Sequence, residues 1–210
     1  MARICSKTSL LSTLSSGLVC LGLAFGTGIS AAQAQSSDAR LPTTRPVLGI
    51  GFTGGGDLLV QVPFSDGTVQ NIYAGRLVHM FLGLEHQVAQ GYFFRGTLGY
   101  HSDSVSASNG SVSFSRLPLE LSTHVYAADR VTLGLGMRKS LSPSLDSTGV
   151  PMQPVPMMAD MGWFAQIEYE LTPQFSIAGR TTHETFHYQS GGVDTPIDGN
   201  HVGLYFNVTF

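Results

Sequence analysis

Residues 201–210 read HVGLYFNVTF, and this stretch decides the fold. Val202, Leu204, Phe206, Val208 and Phe210 fall on one face of an extended chain, and His201, Gly203, Tyr205, Asn207 and Thr209 fall on the other. Successive side chains of a strand point to opposite faces, so a period of two is a strand signal. The same period runs upstream. Trp163, Ala165, Ile167, Tyr169 and Leu171 alternate with Phe164, Gln166, Glu168 and Glu170. Val131, Leu133, Leu135 and Met137 alternate with Thr132, Gly134, Gly136 and Arg138. Leu117, Leu119 and Leu121 alternate with Arg116, Pro118, Glu120 and Ser122, and Met80, Leu82 and Leu84 with His79, Phe81, Gly83 and Glu85. Strands are predicted over 46–62, 69–88, 91–104, 111–125, 130–140, 160–171, 174–189 and 199–210.

The connections alternate in kind. Those near 88–90, 127–129 and 171–173 are tight, whereas 63–68, 105–110, 141–159 and 190–198 are longer and rich in Gly, Ser, Pro and Asp. Asp66-Gly67 and Asn109-Gly110 are hairpin-turn pairs. Tight turns at one end and long loops at the other predict an all-β fold, an eight-stranded antiparallel transmembrane meander barrel.

Charge placement separates a membrane barrel from a soluble sandwich. Glu85, Arg95, Arg116, Glu120, Arg138, Glu168, Arg180 and Glu184 all fall opposite the aliphatic face. Such a set, balanced in sign, can pair as an ion network inside a narrow lumen, while the aliphatic face meets lipid. Arg76 and Lys139 break the parity toward the loop end, where a rim position keeps them wet. Closure also satisfies every backbone polar group, which an open sheet in lipid cannot do. Tyr92, Phe94, Tyr126, Tyr169, Phe175 and Phe210 at the turn end, with Tyr100 and Trp163 toward the loop end, are candidate aromatic girdles. Eight strands leave an interior that side chains fill. Phe81, Phe164 and Tyr205 point inward together with Gly49, Gly51, Gly83, Gly99, Gly134 and Gly136.

Composition agrees with this reading. Charged residues make up 12% of the 210 and apolar residues 42%, against about 25% charged in an average soluble domain. With 11 basic against 14 acidic residues and no basic cluster, a nucleic-acid partner is excluded. Residues 1–34 read as a secretory signal peptide. Arg3 and Lys7 precede an uncharged apolar run, and Ala32-Gln33-Ala34 suits a cleavage site. Cys5 and Cys20 leave with it, so the mature chain has no thiolate chemistry. Residues 35–45 read as a periplasmic tether, and 46–210 as the barrel domain.

The signal, the turn–loop alternation and the terminal HVGLYFNVTF resemble the small eight-stranded outer-membrane barrel proteins of Gram-negative bacteria. In that class a terminal Phe with apolar residues at alternate preceding positions is read by the barrel-assembly machinery, and Leu204, Phe206, Val208 and Phe210 match it. The resemblance implies residence in the outer membrane, outer-membrane lipid and the assembly machinery as partners, and contacts through extracellular loops. A monomer is expected.

The chemistry-bearing residues favour a non-enzymatic protein. Ser122 with His124, and His101 with Asp103, stand two apart and share a face, but it is the inner one. His183 and His187 face outward without a neighbouring Ser, since Thr181 and Thr185 intervene. Soft ligands for copper gather at Met152, Met157, Met158 and Met161, yet four residues separate the two imidazoles by about 13 Å along a strand. No catalytic set, metal site or cofactor is expected. The Pro-rich stretch Leu141–Met158 reads as a surface loop. The expected role is envelope structure or surface interaction with a largely filled polar lumen. The alternative is a conduit for small apolar molecules, and after it a lipid-modifying enzyme.

Overall fold

The computed structural model describes residues 43–63, 69–107, 110–149, 154–190 and 193–210. The signal segment, the tether up to residue 42, the Asp66-Gly67 turn, Asn109 and Met152 lie outside the described residues. The strands in chain order are β1 (Thr44–Gly55), β2 (Leu58–Pro63), β3 (Val69–Tyr73), β4 (Leu77–Ala89), β5 (Tyr92–Ala107), β6 (Gly110–Ala128) and β7 (Val131–Thr148). They continue as β8 (Val155–Pro156), β9 (Met158–Ala159), β10 (Met161–Glu170), β11 (Phe175–His183), β12 (Thr185–Ser190), β13 (Val193–Asp198) and β14 (His201–Thr209).

Eight of these close an antiparallel barrel in the order β1-β4-β5-β6-β7-β10-β11-β14. The first and last strands zip it shut from Val47 opposite Thr209 to Gly55 opposite His201. The Phe210 N–H donates to the Pro46 carbonyl at 3.0 Å, so pairing reaches the terminal residue. Apart from this closing pair, each barrel strand adjoins the next barrel strand in chain order, which makes a meander with no free edge.

The tight turns have local causes. Gly91 takes φ +80° between β4 and β5, where a side chain would be strained. Between β10 and β11, the Thr172 hydroxyl accepts the N–H groups of Gln174 and Phe175 at 3.3 and 3.1 Å.

Several expected boundaries are corrected. The strand expected over 46–62 divides at Gly55 and Gly56, which take φ 132° and 79°. Its second half becomes β2, paired only with β3. The strand expected over 69–88 likewise divides, resuming at Leu77 with φ 82°. The strand expected over 174–189 divides at Glu184. β1 begins at Thr44, so the barrel takes in the end of the expected tether.

The largest correction concerns the loops. Residues 105–107 and 141–148 are not loop but continuing β5 and β7, paired with β6 through Val105 opposite Val112 and Phe114 opposite Leu145. Pro143 fits because the ladder is already broken there: a register shift lies between Ser115 and Leu117, and Ser142 takes φ 48°.

Candidate functional site

Two solvents are written on the barrel wall. Through its lower part, nearest the tight turns, the outer face carries Leu82 and Leu84 on β4, Leu98 on β5, Leu119 and Leu121 on β6, Leu135 and Met137 on β7, Ile167 on β10 and Leu204 on β14, all exposed. Above this band the outer face becomes Ser102, Ser104 and Ser106 on β5, and Ser111, Ser113 and Ser115 on β6. The inner face changes in the opposite sense. Below, it is charged; above, it is Val105, Val112, Phe114 and Leu145, which pack with Ile72, Ala74, Ala159 and Phe186 as an apolar cap. The lower barrel is apolar outside and polar inside, and its extension is the reverse. That inversion is the pattern of a wall that passes from hydrocarbon into water.

All eight charged residues read from the sequence lie buried in the lumen, each at most 5% exposed. Near the turn end Arg95 joins two carboxylates. It reaches Glu85 Oε1 at 2.6 Å and Glu168 Oε2 at 2.9 Å. Arg45, at the mouth, adds a second contact to Glu85 at 3.2 Å. Glu168 is further held by Gln166, by the Asn207 amide at 3.2 Å and by the Ser176 hydroxyl. Tyr126 was expected in the outer girdle. It is instead half-buried, donates to Glu170 and packs 6.1 Å from the Phe93 ring. A register shift between Tyr126 and Ala128 accompanies that inward turn. Tyr92, Phe94, Tyr100, Trp163, Tyr169, Phe175 and Phe210 are exposed.

At mid-height Glu120 accepts from Arg138 at 3.0 Å and Arg180 at 2.8 Å. The Arg180 guanidinium lies 4.2 Å from the Phe164 ring centroid and 4.3 Å from that of Tyr205, a placement that favours cation–π attraction on both. The inner glycines make room for these rings. A Cβ on Gly51 would stand 2.3 Å from the Tyr205 ring, and one on Gly136 2.4 Å from Phe164.

Higher up, Arg138 bridges to Glu184 at 3.3 Å, and Arg116 lies 3.7 Å from the same carboxylate. Arg138 also approaches His101 Nδ1 at 3.2 Å, and His101 Nε2 lies 2.9 Å from Thr53 Oγ1. Arginine only donates, so Nδ1 accepts and Nε2 carries the proton. His101 is therefore held neutral as a relay of hydrogen bonds from Arg138 to Thr53. Arg116 then meets the cap, 5.1 Å from the Phe114 ring and 5.2 Å from that of Phe186. Ion pairs fill the lumen from the turn end upward, and the apolar cap covers them.

The candidate catalytic pairs fare differently. Ser122 Oγ and His124 Nε2 meet at 2.8 Å, buried, but His124 Nδ1 has no hydrogen-bond partner among the described residues. His101 and Asp103 do not bond; Asp103 instead accepts the Tyr73 N–H at 2.9 Å. His183 packs on Trp163, ring centroids 5.7 Å apart, whereas His187 lies between Asp160 and Asp194. Among the described residues no cluster of His, Cys, Asp or Glu suits a metal ion.

Sequence reasoning missed the cap. Its signal was present: the alternation persists through 101–106 and 111–116, with Ser on the outer positions. A serine-rich stretch between Gly and Asn reads as loop unless the inner Val105, Val112 and Phe114 are counted separately.

No protein-family model matches the chain, and no curated protein matches it. Among solved structures it is similar to Ail, the attachment invasion locus protein of Yersinia pestis, at 13% identity and TM-score 0.44, over 80% of this chain and 99% of that one. It is similar to Neisserial surface protein A at 12% identity and TM-score 0.45, over 80% of this chain and 97% of that one. It is also similar to the outer membrane protein AlkL, at 10% identity and TM-score 0.38, over 85% of this chain and 96% of that one.

Proposed function

We propose that this chain is an integral outer-membrane β-barrel with a filled lumen, acting in envelope structure or surface interaction and not as an enzyme. The observation that carries the reading is the ion pairing of the eight inner-wall residues beneath an apolar cap, tightest at Arg95 and Glu120 and loosest at Arg116, 3.7 Å from Glu184. A pore needs wet, mobile charges, and these are locked to one another. The aliphatic band meets outer-membrane lipid. The outward Leu204, Phe206, Val208 and Phe210 on the closing strand are the surface offered to the barrel-assembly machinery. The serine-faced extension and the β2–β3 and β12–β13 hairpins are the surface offered to extracellular partners. With its barrel closed on itself, the chain works as a monomer.

The test is single-channel recording of the barrel refolded in a planar lipid bilayer at both polarities. No discrete conductance is expected. Regular steps would overturn the filled-lumen reading. Passage of small apolar molecules has one observation in its favour, an apolar depression of about 630 Å³ on the outer wall lined by Leu48, Ile50, Leu82, Leu98 and Phe206. Phe81 and Gly49 stand behind it, and the Phe81 ring packs on Gly49 inside the lumen. Vesicles carrying the barrel are therefore expected to take up a small alkane derivative no faster than empty ones.

A further inference from the structure

The hairpin formed by β12 and β13 leaves the barrel sheet and pairs instead with the short β9, through Phe186 opposite Ala159 and His187 opposite Met158, with Asp198 tied at its base to Asp57. On one side Glu184 alone separates β11 from β12; on the other Gly199 and Asn200 separate β13 from β14. These breaks lie side by side, since the Gly199 N–H donates to the Glu184 carbonyl at 2.9 Å and the Glu184 N–H to Asn200 Oδ1 at 3.0 Å. The two breaks together make the place where the hairpin could hinge on the barrel.

Just beyond the hinge, two neighbouring residues of β12 do opposite things. Phe186 points in, fully buried, and meets Phe114 edge-on at 5.3 Å between centroids. Only a glycine at 199 leaves space for its ring, for a Cβ there would lie 2.4 Å from it. His187 points out. Its Nδ1 lies 2.9 Å from Asp194 of β13, and its Nε2 lies 3.0 Å from Asp160, the residue before β10. The cleft beside it, about 550 Å³, is shared with Lys139 of β7, whose amine is committed to the Ala159 carbonyl. Asp160, Asp194 and Lys139 are the charged groups facing His187 among the described residues.

Both ring nitrogens face a carboxylate. A neutral imidazole has one N–H, so it can donate to one of them and must present a lone pair to the other. Only the imidazolium donates to both. We propose that the β12–β13 hairpin is a proton-latched lid over the lumen, held shut by protonated His187 between Asp160 and Asp194 and released when His187 is neutral. The hydrogen bond to Asp160, then that to Asp194, raises the His187 pKa above its ordinary value. A raised folded-state pKa means the latch is fully present below that ordinary value and is lost as pH rises through the folded one. The lid is thus closed in acid and loosens on the alkaline side of the usual histidine range. Opening it lifts Phe186 off Phe114 and uncovers Arg116.

A single-cysteine reporter tests this. Cys5 and Cys20 are the only thiols in the chain, so with both replaced by Ser, Val112→Cys places one thiol within the cap. Its labelling by a charged thiosulfonate is divided by that of Ser106→Cys, an exposed site, at the same pH. The normalised rate is expected to rise about ten-fold between about pH 5 and about pH 9. His187→Gln, which donates from one end only, is expected to give the higher rate throughout. A normalised rate independent of pH, or a pH response that persists in His187→Gln, overturns the latch. Hydrogen exchange of the β12 and β13 amides in the unaltered sequence, corrected for intrinsic rates, reads the same opening if Val112→Cys folds poorly. Protection that does not fall with rising pH would overturn it equally. Neither readout requires the barrel to conduct.

Discussion

Ser102 on β5 stands opposite Ser115 on β6 on the outer wall, and Leu98 stands opposite Leu119 below them. Between those two rows the surroundings change. On the inner wall His101 opposite Arg116 gives way to Val105 opposite Val112. The two faces exchange character over the same few residues, and on the proposed reading that row is where the hydrocarbon ends.

A charge on the outer wall should therefore cost according to its height. Leu121→Arg, one outward position deeper than Leu119, is expected to destabilise the barrel by about 2–4 kcal/mol, the penalty for a basic residue at mid-bilayer. Ser113→Arg, above the boundary, should stay within about 0.5 kcal/mol of the parent, as for an ordinary surface substitution. Urea unfolding in lipid vesicles measures both. Equal losses at the two positions would place the boundary elsewhere.

Arg95 is the junction of the lower lumen, since Glu85 and Glu168 both depend on it. Arg95→Met leaves buried Glu168 without a cation and Glu85 with only Arg45 at the mouth. The expected loss is about 3–5 kcal/mol, because breaking a buried pair costs more than never having made it. Adding Glu85→Gln and Glu168→Gln to the same variant should recover much of that loss. A single substitution that proves as mild as the triple would mean that water already screens the site.

The barrel and the sidedness of its lumen were legible because both rest on a period of two that outlasts any one residue. Glu120, Arg138 and Arg180 could be assigned to the inside from parity alone, without knowing that Glu120 would take both arginines. What parity could not deliver was where a strand leaves one environment for another. Leu141 and Pro143 read as loop because their neighbours are Ser, although β7 runs on to Thr148. Glu184 gave no sign of a break: it is buried and inward, as a strand residue would be, yet it sits between the end of β11 and the start of β12. The partnership of His187 with Asp160 and Asp194 spans three chain segments and leaves no local pattern.

The close approach of rings to inner glycines gives a paired test of packing. Gly51→Ala would put a methyl 2.3 Å from the Tyr205 ring, a ring also held by Arg180. Overpacking of this kind costs about 1–3 kcal/mol. Nothing lies within 4 Å of a Cβ on Gly96. Gly96→Ala should be neutral or stabilise by about 0.4–1 kcal/mol through the unfolded chain. Unfolding midpoints of the two variants, measured side by side, should move in opposite directions or differ by at least that margin.

Ser122 and His124 have the distance of a nucleophile and its base but not the chemistry. The serine hydroxyl also reaches the Arg95 carbonyl at 3.3 Å. If it donates there, His124 Nε2 must be the donor to Ser122, the reverse of what a base requires. Among the described residues no carboxylate orients Nδ1, and the imidazole is stacked on Phe93 with centroids 4.6 Å apart and planes within 6°. Both residues are at most 4% exposed, enclosed within the lumen on the side of the wall away from lipid. A serine-directed fluorophosphonate is therefore expected to leave Ser122 unmodified in the folded barrel, as read by mass spectrometry of its peptide. Ser122→Ala should fold with an unchanged midpoint to within about 1 kcal/mol, the usual worth of one hydrogen bond. An adduct on Ser122 that forms in the folded barrel and is lost in His124→Phe would establish a working dyad and replace the structural role with an enzymatic one.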